Sequence, residues 1–252
     1  MSIERYFIDT HGNDDDAYRE AVNYASNMAN ENENISRIVF LVGTKIQTGW
    51  LERIYNRDIV KKLFAGLKFS DCRVNFKIET KITFNDFGNK NSVIVISCGL
   101  NSDDLYKIDD FECIDTIVAI PWLKERTLDW VRTWGATDLR GGQNTDTLLD
   151  ASPVVKEAMN RLDKAVNTSS SLTHDSDSNL SKTYILALHK YEPELDAIVV
   201  TSYLKKELNW DAKTAEKIEK MINTLNAGKS FQGGERKGLK NFHKQWSEAV
   251  KS

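Results

Sequence analysis

The stretch Val93–Gly99 reads VIVISCG: four apolar residues in succession, then a serine, a cysteine and a glycine. A short apolar run without polar alternation, closed by glycine, is a strand buried on both faces. Three other runs have the same form. Ile38–Thr44 reads IVFLVGT, Thr116–Trp122 reads TIVAIPW and Arg5–Thr10 reads RYFIDT. Each is followed by a segment with helical spacing. Strand, loop and helix in repetition predict an α/β fold: a Rossmann-like, mostly parallel open sheet with helices on both faces. Such sheets bind ligands beyond the carboxyl ends of their strands, so the loops after these runs are the place to look for function.

The segments between the runs support that reading. Ala17, Ala21, Ala25 and Ala29 recur every fourth residue, the mark of a helix packed closely on a sheet. Asn13 is placed to cap it, and Asp14, Asp15 and Asp16 favour the positive end of its dipole. A second helix is expected through Leu51, Ile54, Tyr55, Leu63, Phe64 and Leu67. Val74–Phe84 (VNFKIETKITF) alternates strictly, which predicts a longer, half-exposed strand near a sheet edge, with an antiparallel direction open to it. Ser102 can cap a short helix over Asp103–Asp110. Gly141-Gly142-Gln143-Asn144 reads as the end of the domain.

Ser152-Pro153 then opens a new helix with a capping residue and proline at the first helical position. Two domains follow from this pattern: a Rossmann-like ligand-binding domain over 1–143 and a smaller all-helical domain over 151–252. Residues 167–181 (NTSSSLTHDSDSNLS) are polar and lack periodicity, so they read as a mobile linker or loop. Beyond them, helices are expected over Thr183–Lys190 and Pro193–Leu208, with Ile198–Thr201 open to a strand. Another should run from Asp211 through Leu225, and a last one carries Leu239, Phe242, Trp246 and Val250.

Composition narrows the class. Forty per cent of the 252 residues are hydrophobic, enough for an ordinary core, and no apolar stretch reaches the ~20 residues a bilayer requires. Met1–Arg5 lacks a basic-then-apolar leader, and Cys72, Cys98 and Cys113 have no paired spacing. These features predict a cytoplasmic protein with reduced thiols and no membrane partner. Net charge is −3 but uneven: residues 1–150 carry 18 Lys and Arg against 24 Asp and Glu, and residues 151–252 carry 16 against 13. Opposite balances suggest different partners for the two halves.

Asp9-Thr10-His11 is the sharpest polar cluster, a carboxylate and an imidazole two residues apart just past a strand. It resembles the opening Asp-x-His of metallophosphoesterases. That family's Gly-Asp-x-x-Asp-Arg and Gly-Asn-His segments are absent, and His174, His189 and His243 all lie in the helical half, so no metal site is expected. No Gly-x-Gly-x-x-Gly follows any strand, and the Gly228-Lys229-Ser230 tail follows a helix, which argues against a phosphate loop. There is no Gly-x-Ser-x-Gly elbow, and Cys98 has no evident base. Catalytic residues and cofactors stay unassigned.

The expected ligand positions are Asp9, His11, Thr44, Lys45, Ser97, Asn101 and Trp122, all after strands. Lys45 brings positive charge and Trp122 a flat apolar surface, a pairing suited to a nucleotide-like small molecule. In the C-terminal half, Thr201–Leu208 and Asp211–Leu225 have the bare layout of helix, turn, helix. Lys205, Lys206, Lys213 and Lys217 are expected on their exposed faces, and Arg236, Lys237 and Lys240 extend the charge. This basic region suits a nucleic-acid or protein partner. The leading reading is a binding or sensor protein with a ligand site at the strand ends and a partner-contacting helical module. The alternatives are a hydrolase or transferase acting on a nucleotide or phosphorylated substrate through Asp9 and His11, and an assembly protein without a ligand.

Overall fold

The computed structural model describes residues 3–12, 14–85, 92–141 and 149–251. The chain divides into two units, 1–147 and 148–252. The first contains β1 (Glu4–Phe7), α1 (Asp15–Glu31), β2 (Ile35–Val42), α2 (Gly49–Ile54), α3 (Arg57–Ala65), β3 (Leu67–Lys68), β4 (Asn75–Thr80), β5 (Ser92–Cys98), α4 (Ser102–Asp109), β6 (Ile114–Ile120), α5 (Leu128–Trp134) and β7 (Thr137–Asp138). Its seven-stranded sheet runs β3-β4-β2-β5-β6-β1-β7, and only the β3–β4 pair is antiparallel. The fold is α/β with a mostly parallel sheet.

The unbroken apolar runs occupy the middle of the sheet because both faces are covered there. One row, Ile38, Phe40, Ile94, Ile96, Val118 and Ile120, meets the alanine stripe of α1 in a single buried cluster. The alternate row, Val39, Leu41, Val95 and Ile117, is buried as well. Arg5 belongs to that second row and pairs with Asp109 of α4 at 2.8 Å. Trp130 of α5 donates its indole N–H to the same carboxylate at 2.7 Å. Helices α4 and α5 therefore lie over the face opposite α1. In register, Val42 pairs with Cys98 and Cys98 with Ile120, so the carboxyl ends of the three central strands form one row.

Several local expectations require correction. Val74–Phe84 is not one long antiparallel strand. β4 covers only Asn75–Thr80 and runs parallel to β2, with two-residue β3 outside it. The alternation continues in the sequence, but the Thr83 hydroxyl accepts the Thr80 N–H at 2.9 Å and turns the chain out of the sheet. Ile82 consequently projects into solvent. The helix expected through Leu67 is two helices, because the Asn56 side chain accepts the Ile59 N–H and caps α3 afresh. The cap of α4 is Asn101 rather than Ser102. Asp14 caps α1, and Asn13 lies outside the described residues, as do 142–148, where the two units divide.

The second unit contains α6 (Pro153–Ala165), α7 (Asp175–Tyr191), α8 (Ala197–Lys206), α9 (Ala212–Asn226) and α10 (Leu239–Ala249). Met159, Leu162, Ile185, Leu188, Leu204, Ile218, Ile222 and Trp246 form its core. Ile198–Thr201 is helical, not a strand. Residues 167–181 are not a free linker: α7 begins at Asp175, and Leu172 and Ser181 are buried. The polar composition is compatible with burial because the hydroxyls satisfy themselves locally. Ser181 donates to the Asp177 carbonyl and Thr183 to the Asn179 carbonyl, each at 2.8 Å. Asp175 and Asp177 sit in the first turn, where the helix dipole favours them. Among the described residues no helix is long and apolar enough to cross a membrane.

Candidate functional site

The strand order creates a crevice at one place. From β2 the chain passes to β4 on one side, and from β5 it passes to β6 on the other. Neighbouring parallel strands whose connections diverge leave a gap beyond their carboxyl ends. A cavity of about 470 Å³ opens there, within the ~300–1,000 Å³ usual for small-molecule sites. Cys98, the last residue of β5, and Gly99 lie at its base. Gly99 takes φ +71° and donates its N–H to the Ile120 carbonyl at 2.8 Å, joining the β5 and β6 ends.

Aromatic side chains form the walls. Tyr18 of α1 and Trp50 of α2 stack with ring centres 3.6 Å apart and planes 13° from parallel. Trp122, just after β6, contributes a third ring and remains 45 % exposed. Its carbonyl accepts the Gly12 N–H at 2.8 Å, which anchors this loop to the one after β1. Gln47, Arg53 and Arg126 also line the cavity.

The polar groups differ in how far they are committed. Arg53 donates to both oxygens of Asp15, at 2.7 and 3.4 Å, and this guanidinium holds the Asp15 carboxyl below its ordinary range. The Arg126 guanidinium is exposed and has no acidic partner among the described residues. Its backbone is fixed, because the Ser102 hydroxyl donates to the Arg126 carbonyl at 3.0 Å. The Gln47 carbonyl oxygen accepts the Thr44 N–H at 2.9 Å, which turns its NH₂ group away from that bond. Burial pushes the Tyr18 phenol and the Cys98 thiol up, so both are neutral at physiological pH. A thiol held neutral is a poor nucleophile. The cavity therefore offers aromatic surface and the exposed Arg126 cation, and neither the Tyr18 phenol nor the Cys98 thiol is ionised to act as a nucleophile.

Of the seven expected ligand positions, Trp122 lines this cavity. Thr44 and Lys45 are exposed on the neighbouring β2–α2 loop, where the Lys45 carbonyl accepts the Thr48 hydroxyl. Ser97 is buried one residue before Cys98, so strand alternation turns it to the other face of the sheet. The Asn101 side chain accepts the Asp104 N–H and serves α4 as its cap. His11 is exposed. Asp9 pairs with Lys124 at 2.5 Å and belongs to a separate charged group near the end of β1. There Arg140 bridges Asp14 and Glu20, each at 2.7 Å, and Asp138 accepts the Asp9 and Arg140 backbone N–H groups. The Arg140 guanidinium holds the Asp14 carboxyl well below the ordinary range. No group of three or more His, Cys, Asp or Glu side chains able to hold a metal occurs among the described residues.

Tyr18, Gln47, Trp50, Arg53 and Arg126 carry no sequence motif. Tyr18 adjoins the alanine stripe and reads there as one more core residue. Only the convergence of α1, α2 and the β2–α2 and β6–α5 loops makes the five into a site.

The basic C-terminal positions divide in two. Lys206, Lys213, Arg236, Lys237 and Lys240 are exposed. Lys205 and Lys217 do not line an exposed face as expected: Lys205 is only 8 % exposed, and the part-buried Lys217 ammonium donates to the Ser171 carbonyl. Long lysine stems cover apolar surface when a helix is packed on several sides, as α8 is. The turn between α8 and α9 is also packed inward, with Trp210 buried and its indole donating to Asp163 at 2.7 Å.

No curated protein and no solved structure matches the chain. Residues 151–247 match the family model described as Domain of unknown function (DUF1889), so the resemblance to known sequences covers the C-terminal helices and not the sheet that carries the cavity.

Proposed function

We propose that the sheet unit is a Rossmann-like binding module for a nucleotide-like small molecule, held at the carboxyl ends of β2, β5 and β6. We further propose that residues 151–252 form a helical domain that passes the bound state to a protein or nucleic-acid partner, making the chain a sensor. The observation that carries the ligand assignment is the pairing of half-exposed Trp122 with the uncommitted Arg126 on one cavity at the switch point of the sheet. An indole face accepts a planar ring, and a guanidinium without an internal partner accepts a phosphate through two parallel N–H bonds. The exposed basic residues Lys206, Lys213, Arg236, Lys237 and Lys240 supply the partner surface.

A thermal-shift screen of nucleotides, with and without divalent metal, tests the ligand assignment. At least one nucleotide should raise the melting temperature of the native protein. Trp122→Ala and Arg126→Ala should each reduce that shift, and Lys45→Ala, outside the cavity lining, should leave it intact. Absence of any shift, or equal shifts in the native and altered proteins, would reject the assignment.

A further inference from the structure

The cavity has an inside and an outside, and they differ chemically. Arg126, the group fitted to an anion, is exposed on the rim. Tyr18 is only 2 % exposed, stacked on Trp50 within the walls. Its hydroxyl has no hydrogen-bond partner among the described residues, yet it is not sealed from solvent, so it borders the cavity. The nearby Cys98 thiol is itself bonded to the Ile96 carbonyl and offers the hydroxyl nothing. A hydroxyl that borders the cavity is open to water, and a ligand that displaces water from it must replace the hydrogen bond or lose affinity. The Gln47 NH₂ group is a second donor there, since its oxygen is tied to the Thr44 N–H.

We infer that the ligand enters ring first, with a hydrogen-bonding ring edge meeting the Tyr18 hydroxyl and its phosphate held outside at Arg126. This orientation rests on the ligand class proposed above and narrows it to monophosphates of nucleobase-like rings. A bare aromatic phosphate stacks equally well but leaves Tyr18 unsatisfied. A sugar phosphate satisfies Arg126 and leaves the aromatic walls empty. The reverse orientation places a phosphate among Tyr18, Trp50 and Cys98, which offer it no positive charge, while Arg53, exposed like Arg126, is already bonded to Asp15.

Isothermal titration with the four ribonucleoside 5′-monophosphates, phenyl phosphate and ribose 5-phosphate tests this. The native protein should bind at least one nucleoside monophosphate ten times or more tighter than either simpler phosphate. Tyr18→Phe removes one oxygen and keeps the ring on Trp50. It should weaken the preferred nucleotide about tenfold and leave phenyl phosphate unchanged, whereas Arg126→Ala should weaken all of them. Nucleotide affinity within twofold of native in Tyr18→Phe, with Arg126→Ala still damaging, would overturn the orientation and leave the ligand class standing. Failure of the native protein to bind any nucleoside monophosphate would overturn both. If Tyr18→Phe does not fold, the native comparison decides: phenyl phosphate binding as tightly as the nucleotides refutes the role of the ring edge.

Discussion

Asp109 should make the stability of the sheet unit fall as pH rises. Its side chain is 5 % exposed at the end of α4, bonded to Arg5 at 2.8 Å and to the Trp130 indole at 2.7 Å. Burial outweighs both partners and pushes the carboxyl from the ordinary 3.8 up to about 6. The sign follows from proton linkage. Between these values the unfolded chain has lost the proton and the folded chain still holds it, so folding takes up a proton. The stability contributed by the protonated form is complete below about pH 4 and is lost as pH rises through about 6. At ~1.4 kcal/mol per pH unit, the loss is roughly 2 to 3 kcal/mol. Asp109→Asn cannot titrate and keeps an oxygen for the Trp130 indole, so it is the matched reference. Urea unfolding of both proteins between pH 4 and pH 7 measures the difference, and other titrating groups cancel. The native protein should lose roughly 2 to 3 kcal/mol relative to Asp109→Asn across that window. A difference constant to within about 0.5 kcal/mol, or one that moves in favour of the native protein, would refute the reasoning, because either requires a carboxyl that is ionised throughout.

Two further outcomes concern the second unit. Trp246 is fully buried in α10, 4.9 Å from the Tyr184 ring and 6.0 Å from the Phe242 ring, so Trp246→Ala should cost about 3–5 kcal/mol in chemical denaturation; a loss below about 1 kcal/mol would show that α10 contributes little to that core. Residues 175–181 should resist proteinase K, since α7 begins at Asp175 and Ser181 is buried, and any early cut in this region should fall at 167–174. A first cut within 175–181, located by mass spectrometry, would contradict the helix there.

The sequence by itself determined the class of the fold and its central strands. Ile38–Val42, Val93–Ile96 and Ile117–Ile120 are apolar at every position, and only a strand covered on both faces demands that. The alanine stripe of α1 was legible for the same reason: close packing on a sheet imposes a four-residue period. Strand order was not legible, because the length of a connection does not say which neighbour the next strand will meet. Two-residue strands β3 and β7 carry no period at all. Polar segments misled where hydroxyls bond to their own helix, as at Ser181 and Thr183. Single lysines misled where the stem is buried, as at Lys205. Trp122 was recognisable as a candidate, since it follows a strand directly. Tyr18, Gln47 and Arg126 were not. They come from three segments far apart in the chain, and each reads locally as core, turn or surface. A binding site is a relation among side chains across space, and that relation comes into being when parallel strands bring their carboxyl ends to one edge.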